Sequence, residues 1–146
     1  MEIEYSNSEQ ETLRIGEKIG RELHPPQVIL LYGELGSGKT VLVRGLARGL
    51  GVQDPTTVHS PSFTLVNQYI GKEGIIYHLD FFRLEGLRDL YSLGLEEILG
   101  SHSIVIIEWA EKLLLEAENP MKIRIFLNSK ADTRRFEISR CQQARV

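Results

Sequence analysis

The apolar positions of this chain fall into two rhythms, one of strands and one of helices. Val28-Ile29-Leu30-Leu31-Tyr32 and Ser103-Ile104-Val105-Ile106-Ile107 are continuous apolar runs of strand length, the pattern of strands buried on both faces of a parallel sheet. Met121-Lys122-Ile123-Arg124-Ile125-Phe126-Leu127 alternates instead, and Arg135-Phe136-Glu137-Ile138 is placed to pair beside it. Phe63 to Ile70 and Ile75 to Asp80 flank Gly71-Lys72-Glu73-Gly74, which predicts an antiparallel hairpin. Ile3 to Tyr5 is a short strand candidate.

The helical rhythm begins at Ser8-Glu9-Gln10-Glu11, a capping-box sequence with Ser8 as N-cap and Glu11 at N3. Leu13, Ile15, Ile19 and Leu23 supply that helix's apolar face, and Pro25-Pro26 ends it. Val41 to Leu50 predicts a second helix. Leu87, Leu90, Tyr91, Leu95, Ile98 and Leu99 recur at roughly helical spacing, with Gly94 splitting the element. Gly51 to Ser62 is polar and proline-bearing, longer than a plain connector needs to be.

One segment carries a recognisable chemistry. Gly33-Glu34-Leu35-Gly36-Ser37-Gly38-Lys39-Thr40 spells G-x-x-x-x-G-K-[ST] directly after the first apolar run. In such a loop, backbone N–H groups from Leu35, Gly36, Ser37 and Gly38 onward turn into one concavity that suits phosphate oxygens. Lys39 reaches the β and γ phosphates, and the Thr40 hydroxyl ligates Mg²⁺. The helix that follows aims its positive dipole end at the same place. Strand, loop and helix in this order predict one α/β domain over residues 1–146, P-loop NTPase-like and three-layered around a central mixed sheet, with ATP or GTP and Mg²⁺ as its ligands.

Length and charge narrow the class without changing it. The 146 residues suit a single domain, and a net charge of −3 with 25% charged residues lacks the basic excess of an independent nucleic-acid binder. Cys141 is the sole cysteine and forms no internal disulfide, and no Cys/His spacing resembles a zinc site. No run approaches membrane-spanning length, so the expected setting is a reducing cytoplasm.

A phosphate loop needs an acidic partner for its cation. Asp80 and Glu108 each end an apolar strand, and open sheets bind ligands at that carboxyl edge. One is expected to hold Mg²⁺ and the other to orient the attacking water, so Lys39, Asp80 and Glu108 are the catalytic candidates. Ser60, Ser62 and Thr64 offer hydroxyls in the long loop, or serve only its turns. Trp109 suits an interface or the core. His24, His59, His78 and His102 show no nucleophile–base arrangement and are read as solvated or satisfied. Arg44 and Arg48, four residues apart, are read as a solvated helix face. Ser129-Lys130-Ala131-Asp132 imitates a guanine-recognition signature, but no D-x-x-G follows a strand and too little chain follows Asp132, which disfavours GTP.

Three further segments join the phosphate loop: Val58-His59-Ser60-Pro61-Ser62-Phe63-Thr64-Leu65-Val66, His78-Leu79-Asp80-Phe81-Phe82-Arg83-Leu84, and Ile107-Glu108-Trp109-Ala110-Glu111. Together, over about the first 140 residues, they make the chain resemble the TsaE (YjeE) family, with Ser62 in place of a threonine and Phe81-Phe82 in place of Leu-Tyr. The resemblance implies an ATPase subunit required for threonylcarbamoylation of adenosine 37 in tRNA, working with TsaB and TsaD and touching tRNA only indirectly. It implies Mg²⁺ on Thr40 and Glu108, a catalytic or water-positioning Asp80, and an adenine-side element near Thr133 and Arg134, with Ser8 to Thr12 also approaching the base. Two other roles fit the residues alone: a nucleotide-dependent assembly module with incidental hydrolysis, or a small-molecule kinase. Arg83 and Arg88 are too isolated to form the arginine-rich lid a kinase would use.

Overall fold

A computed structural model describes residues 1–34, 36–61, 65–82, 94–112, 117–128 and 130–140. Its strands are β1 (Glu2–Ser6), β2 (Gln27–Gly33), β3 (Val66–Gly71), β4 (Gly74–Asp80), β5 (Ile104–Glu108), β6 (Met121–Asn128) and β7 (Thr133–Arg140). They form one seven-stranded mixed sheet in the order β1-β7-β6-β2-β5-β4-β3. The central strands β6, β2, β5 and β4 run parallel, and the outer ones are antiparallel to their neighbours. The continuous apolar run of β2 is buried from Val28 to Leu31, as a strand covered on both faces must be. In β6 only Met121, Ile123 and Ile125 are buried, so its alternation reports a strand with one covered face.

Helices α1 (Glu9–Arg21) and α2 (Lys39–Gly49) pack on one face, burying Ile19, Leu42, Val43 and Leu46 against Ile29, Leu31, Ile106, Ile123 and Phe136. The other face carries a smaller cluster, Val28, Leu30, Leu79, Val105 and Ile107 with Phe81 and Leu95. Leu95 belongs to a short helix α3 (Leu95–Leu99), which starts at Gly94 in the left-handed conformation, φ 68°. The longer helix expected from Leu87 onward lies, over 83–93, outside the described residues.

The start of α1 is as the capping pattern predicts on one side only. Ser8 Oγ accepts from the Glu11 N–H at 3.1 Å, while Glu11 Oε2 accepts from the Asn7 N–H at 2.7 Å rather than from that of Ser8. The two helices touch backbone to backbone. A Cβ on Gly16 would stand 2.6 Å from the Leu42 carbonyl oxygen, and one on Gly45 would stand 2.5 Å from that of Leu13; real Cβ atoms do not approach so closely, so only glycine permits this contact. The long polar loop is not wholly irregular: Pro55–Thr57 forms a single 3₁₀ turn whose N-cap Asp54 accepts from the Thr56 N–H. Among the described residues, no helix is long and apolar enough to cross a membrane.

Candidate functional site

The glycine-rich loop joins β2 to α2, and α2 begins at Lys39, two residues earlier than periodicity alone suggests, so Lys39 and Thr40 sit in its first turn. Gly38 is the N-cap with φ 100°, a left-handed conformation that a side chain would strain. A cavity of about 510 Å³ opens over this turn at the carboxyl edge of the sheet, and Asp80, Glu108, Ser60, Trp109 and Arg134 line it with the loop. The register explains how the two acids arrive together: β4 and β5 are parallel neighbours with Asp80 paired to Glu108. Both are buried, Asp80 to 4% exposure and Glu108 to 2%.

Each acid is held by named donors. Asp80 Oδ1 accepts from the Phe82 N–H at 2.9 Å, and Oδ2 accepts from the Ser60 hydroxyl. Glu108 Oε1 lies 3.4 Å from Thr40 Oγ1, which donates to it, and Oε2 lies 2.6 Å from His78 Nε2. Thr40 and Glu108 thus bring two hard oxygen donors together, a set that fits Mg²⁺ when phosphate oxygens and water complete its octahedron. Among the described residues no group of three or more His, Cys, Asp or Glu could hold a metal by itself.

Lys39 is a buried side chain whose Nζ donates to the carbonyl oxygens of Gly33 and Glu34 and lies 3.9 Å from the centroid of the Trp109 ring. Burial lowers its pKa from the usual 10.5, and the nearby carboxylates, Glu108 foremost, then Glu111, Asp80 and Glu34, oppose that shift. Among the described residues the desolvated ammonium is bound to neutral carbonyls and a ring face, which phosphate oxygens outcompete. Ser37 Oγ is likewise buried in the loop with no hydrogen-bond partner, a polar atom suited to an incoming oxygen.

Trp109, half-buried with φ 58°, stacks at 4.9 Å on the exposed Phe82. It lines the cavity and also packs against the smaller core cluster. Arg134 also reaches the cavity, its Nε donating to the Ser37 carbonyl at 2.9 Å. Thr133 turns away and donates instead to Asn7 Oδ1 at 3.1 Å. Glu9 and Thr12 bring the start of α1 to the cavity wall. Leu35, Ser62 and Thr64 lie outside the described residues.

Two side chains read as bystanders are not. Arg44 is not on a solvated face: its Nη2 donates to the Val58 carbonyl at 3.1 Å and its Nε is buried, tying α2 to the loop that carries Ser60. Arg48 does face solvent, 3.5 Å from Glu17. His78 is buried rather than solvated: its Nε2 meets Glu108, while its Nδ1 has no hydrogen-bond partner. The signal was present in the spacing, since His78 and Asp80 are two apart on one strand and share the face on which Glu108 lies.

The sequence model for "Threonylcarbamoyl adenosine biosynthesis protein TsaE" matches residues 6–136. A protein named tRNA threonylcarbamoyladenosine biosynthesis protein TsaE from Treponema pallidum is 41% identical over 111 residues, covering 76% of this chain and 80% of the relative. One of the same name from Aquifex aeolicus is 38% identical over 128 residues, covering 82% and 91%. The crystal structure of Bacillus subtilis YdiB superposes with a TM-score of 0.78 at 26% identity, covering 97% of this chain and 86% of that one.

Proposed function

Because the chain belongs to the TsaE family, we propose that it is the ATP-binding, ATP-hydrolysing subunit required for threonylcarbamoylation of adenosine 37 in tRNA, working in the cytoplasm with TsaB and TsaD. The observation that carries this reading is the convergence of Lys39 and Thr40 with Asp80 and Glu108 on one cavity. On this reading residues 1–146 are a single P-loop NTPase-like domain with its sheet between helical layers.

The chemistry is positioning and charge neutralisation. Backbone N–H groups of Leu35 to Thr40 and the start of α2 bind the phosphates. Lys39 exchanges its two carbonyl partners for β and γ phosphate oxygens. Thr40 and Glu108 would hold Mg²⁺, which when bound neutralises developing charge on the phosphoryl group. Asp80, with one oxygen on Ser60 and the other on the Phe82 N–H, aligns the attacking water. Arg134, which reaches the cavity, flanks the adenine side.

Hydrolysis of γ-labelled ATP, measured with and without TsaB and TsaD, tests the proposal. The expected result is label in inorganic phosphate, released faster with the partners present. Label on a small metabolite would make the protein a kinase. Nucleotide-dependent association without turnover would make it an assembly module.

A further inference from the structure

His78 is fully buried, and among the described residues its ring makes one polar contact, the 2.6 Å one between Nε2 and Glu108 Oε2; its Nδ1 is buried with no hydrogen-bond partner. With a carboxylate oxygen opposite it, the ring N–H on Nε2 donates to Glu108. That N–H points at a carboxylate whose second oxygen faces Thr40. Tyr69, on β3, lies against the imidazole with ring centroids 6.2 Å apart. The ring is held by packing, and its one hydrogen bond is given to Glu108.

We propose that His78 is a positioning residue: by clamping Oε2 it fixes the rotation of the Glu108 carboxylate so that Oε1 is presented beside Thr40, ready for a cation that arrives with the nucleotide. The inference rests on the reading of this site as one for ATP and Mg²⁺. A free carboxylate can rotate and offer either oxygen, or turn toward another donor. With Oε2 occupied, a single oxygen remains, already placed before the ligand binds. Hydrogen-bonded partners behind a ligating group typically contribute about 10- to 100-fold to cation affinity, and His78 stands behind Glu108 in that manner while touching neither Thr40 nor the loop in any described contact.

The test compares His78→Leu, which removes the donor at similar volume, with His78→Gln, whose amide N–H reaches a comparable point. ATP affinity is measured calorimetrically in EDTA and in Mg²⁺, Mn²⁺ bound with ATP is counted by electron paramagnetic resonance, and folding is followed by circular dichroism. His78→Leu is expected to bind ATP in EDTA within about twofold of wild type and to lose about 10-fold or more in cation affinity, with His78→Gln restoring most of it. A purely structural histidine would lower thermal stability and leave the cation-dependent gain untouched; that result in a folded His78→Leu overturns the proposal. Should the leucine variant not fold, the glutamine variant decides, wild-type cation affinity supporting the proposal and a 10-fold loss overturning it. A wild-type protein that binds ATP equally in EDTA and in Mg²⁺ would instead bring down the site reading itself, and this inference with it.

Discussion

The two ends of the parallel strands each carry a histidine–glutamate pair, and the pairs could hardly be used more differently. At the carboxyl edge His78 and Glu108 meet at 2.6 Å with side chains 0% and 3% exposed; at the amino edge His24 and Glu73 meet at 2.9 Å with side chains 70% and 50% exposed. Water screens the second pair, which contributes little. The first has no water to fall back on, so each partner fixes the other's orientation. Distance alone would rank the pairs as equals, whereas burial separates a pair that shapes a site from one that decorates a surface.

The hardest way to break the carboxyl edge is to remove its cation. Lys39→Ala should lower ATP turnover by about 10²- to 10³-fold, the scale for losing one preorganised charge-stabilising group, and weaken nucleotide binding while the circular dichroism spectrum stays that of the wild type. Wild-type turnover in this variant would dismiss the site. Asp80→Asn comes next: kcat should fall about 10²-fold with ATP still bound, the signature of a group needed after binding. If that variant instead shifts the Mg²⁺ titration while Glu108→Gln leaves it unmoved, the two acids have exchanged roles.

A smaller effect concerns Trp109, whose ring covers Lys39 and stacks on exposed Phe82 at the rim. Trp109→Ala should reduce the rate gain given by TsaB and TsaD several-fold more than it reduces basal hydrolysis, because exposed aromatics are frequent anchors of interfaces. Equal losses in both rates would confine Trp109 to the chemistry of Lys39.

Lys39 also leaves a mark on stability. Its folded pKa lies below the 10.5 of the free side chain because of burial, so between the folded and unfolded values the unfolded state holds more protons, and stability rises with pH across that window. Wild type should therefore gain thermal stability relative to Lys39→Met as pH climbs toward 10.5, and ATP affinity should fall over the same range as the ammonium discharges. A flat difference between the two proteins would mean that Lys39 titrates as though exposed. The smallest effect belongs to the amino edge: His24→Ala and Glu73→Ala should each change stability by no more than about 1 kcal/mol and leave turnover alone.

Much of this was legible in the chain. The unbroken run of β2 and the alternation of β6 showed where each strand would lie, because burial on two faces and on one face leave different patterns. The G-x-x-x-x-G-K-[ST] spacing located the loop because only glycine serves where φ is 100° at Gly38. Side-chain partnerships were less visible. Nothing local to Lys39 tells that its ammonium folds back on Gly33 and Glu34, and Arg44 looks like any helix-surface cation until Val58, fourteen residues on, supplies the carbonyl. These depend on long-range placement. Thr133 and Arg134 are adjacent and were read together, yet strand alternation sends their side chains to opposite faces, and only Arg134 reaches the cavity.

The glycine contact between α1 and α2 bears on motion. Helices meshed backbone to backbone can neither slide nor tilt against each other without a collision, so the phosphate loop's helix and the helix that brings Glu9 and Thr12 to the cavity behave as one rigid plate. The opposite rim is lined by Phe82 and Trp109, just past the ends of β4 and β5.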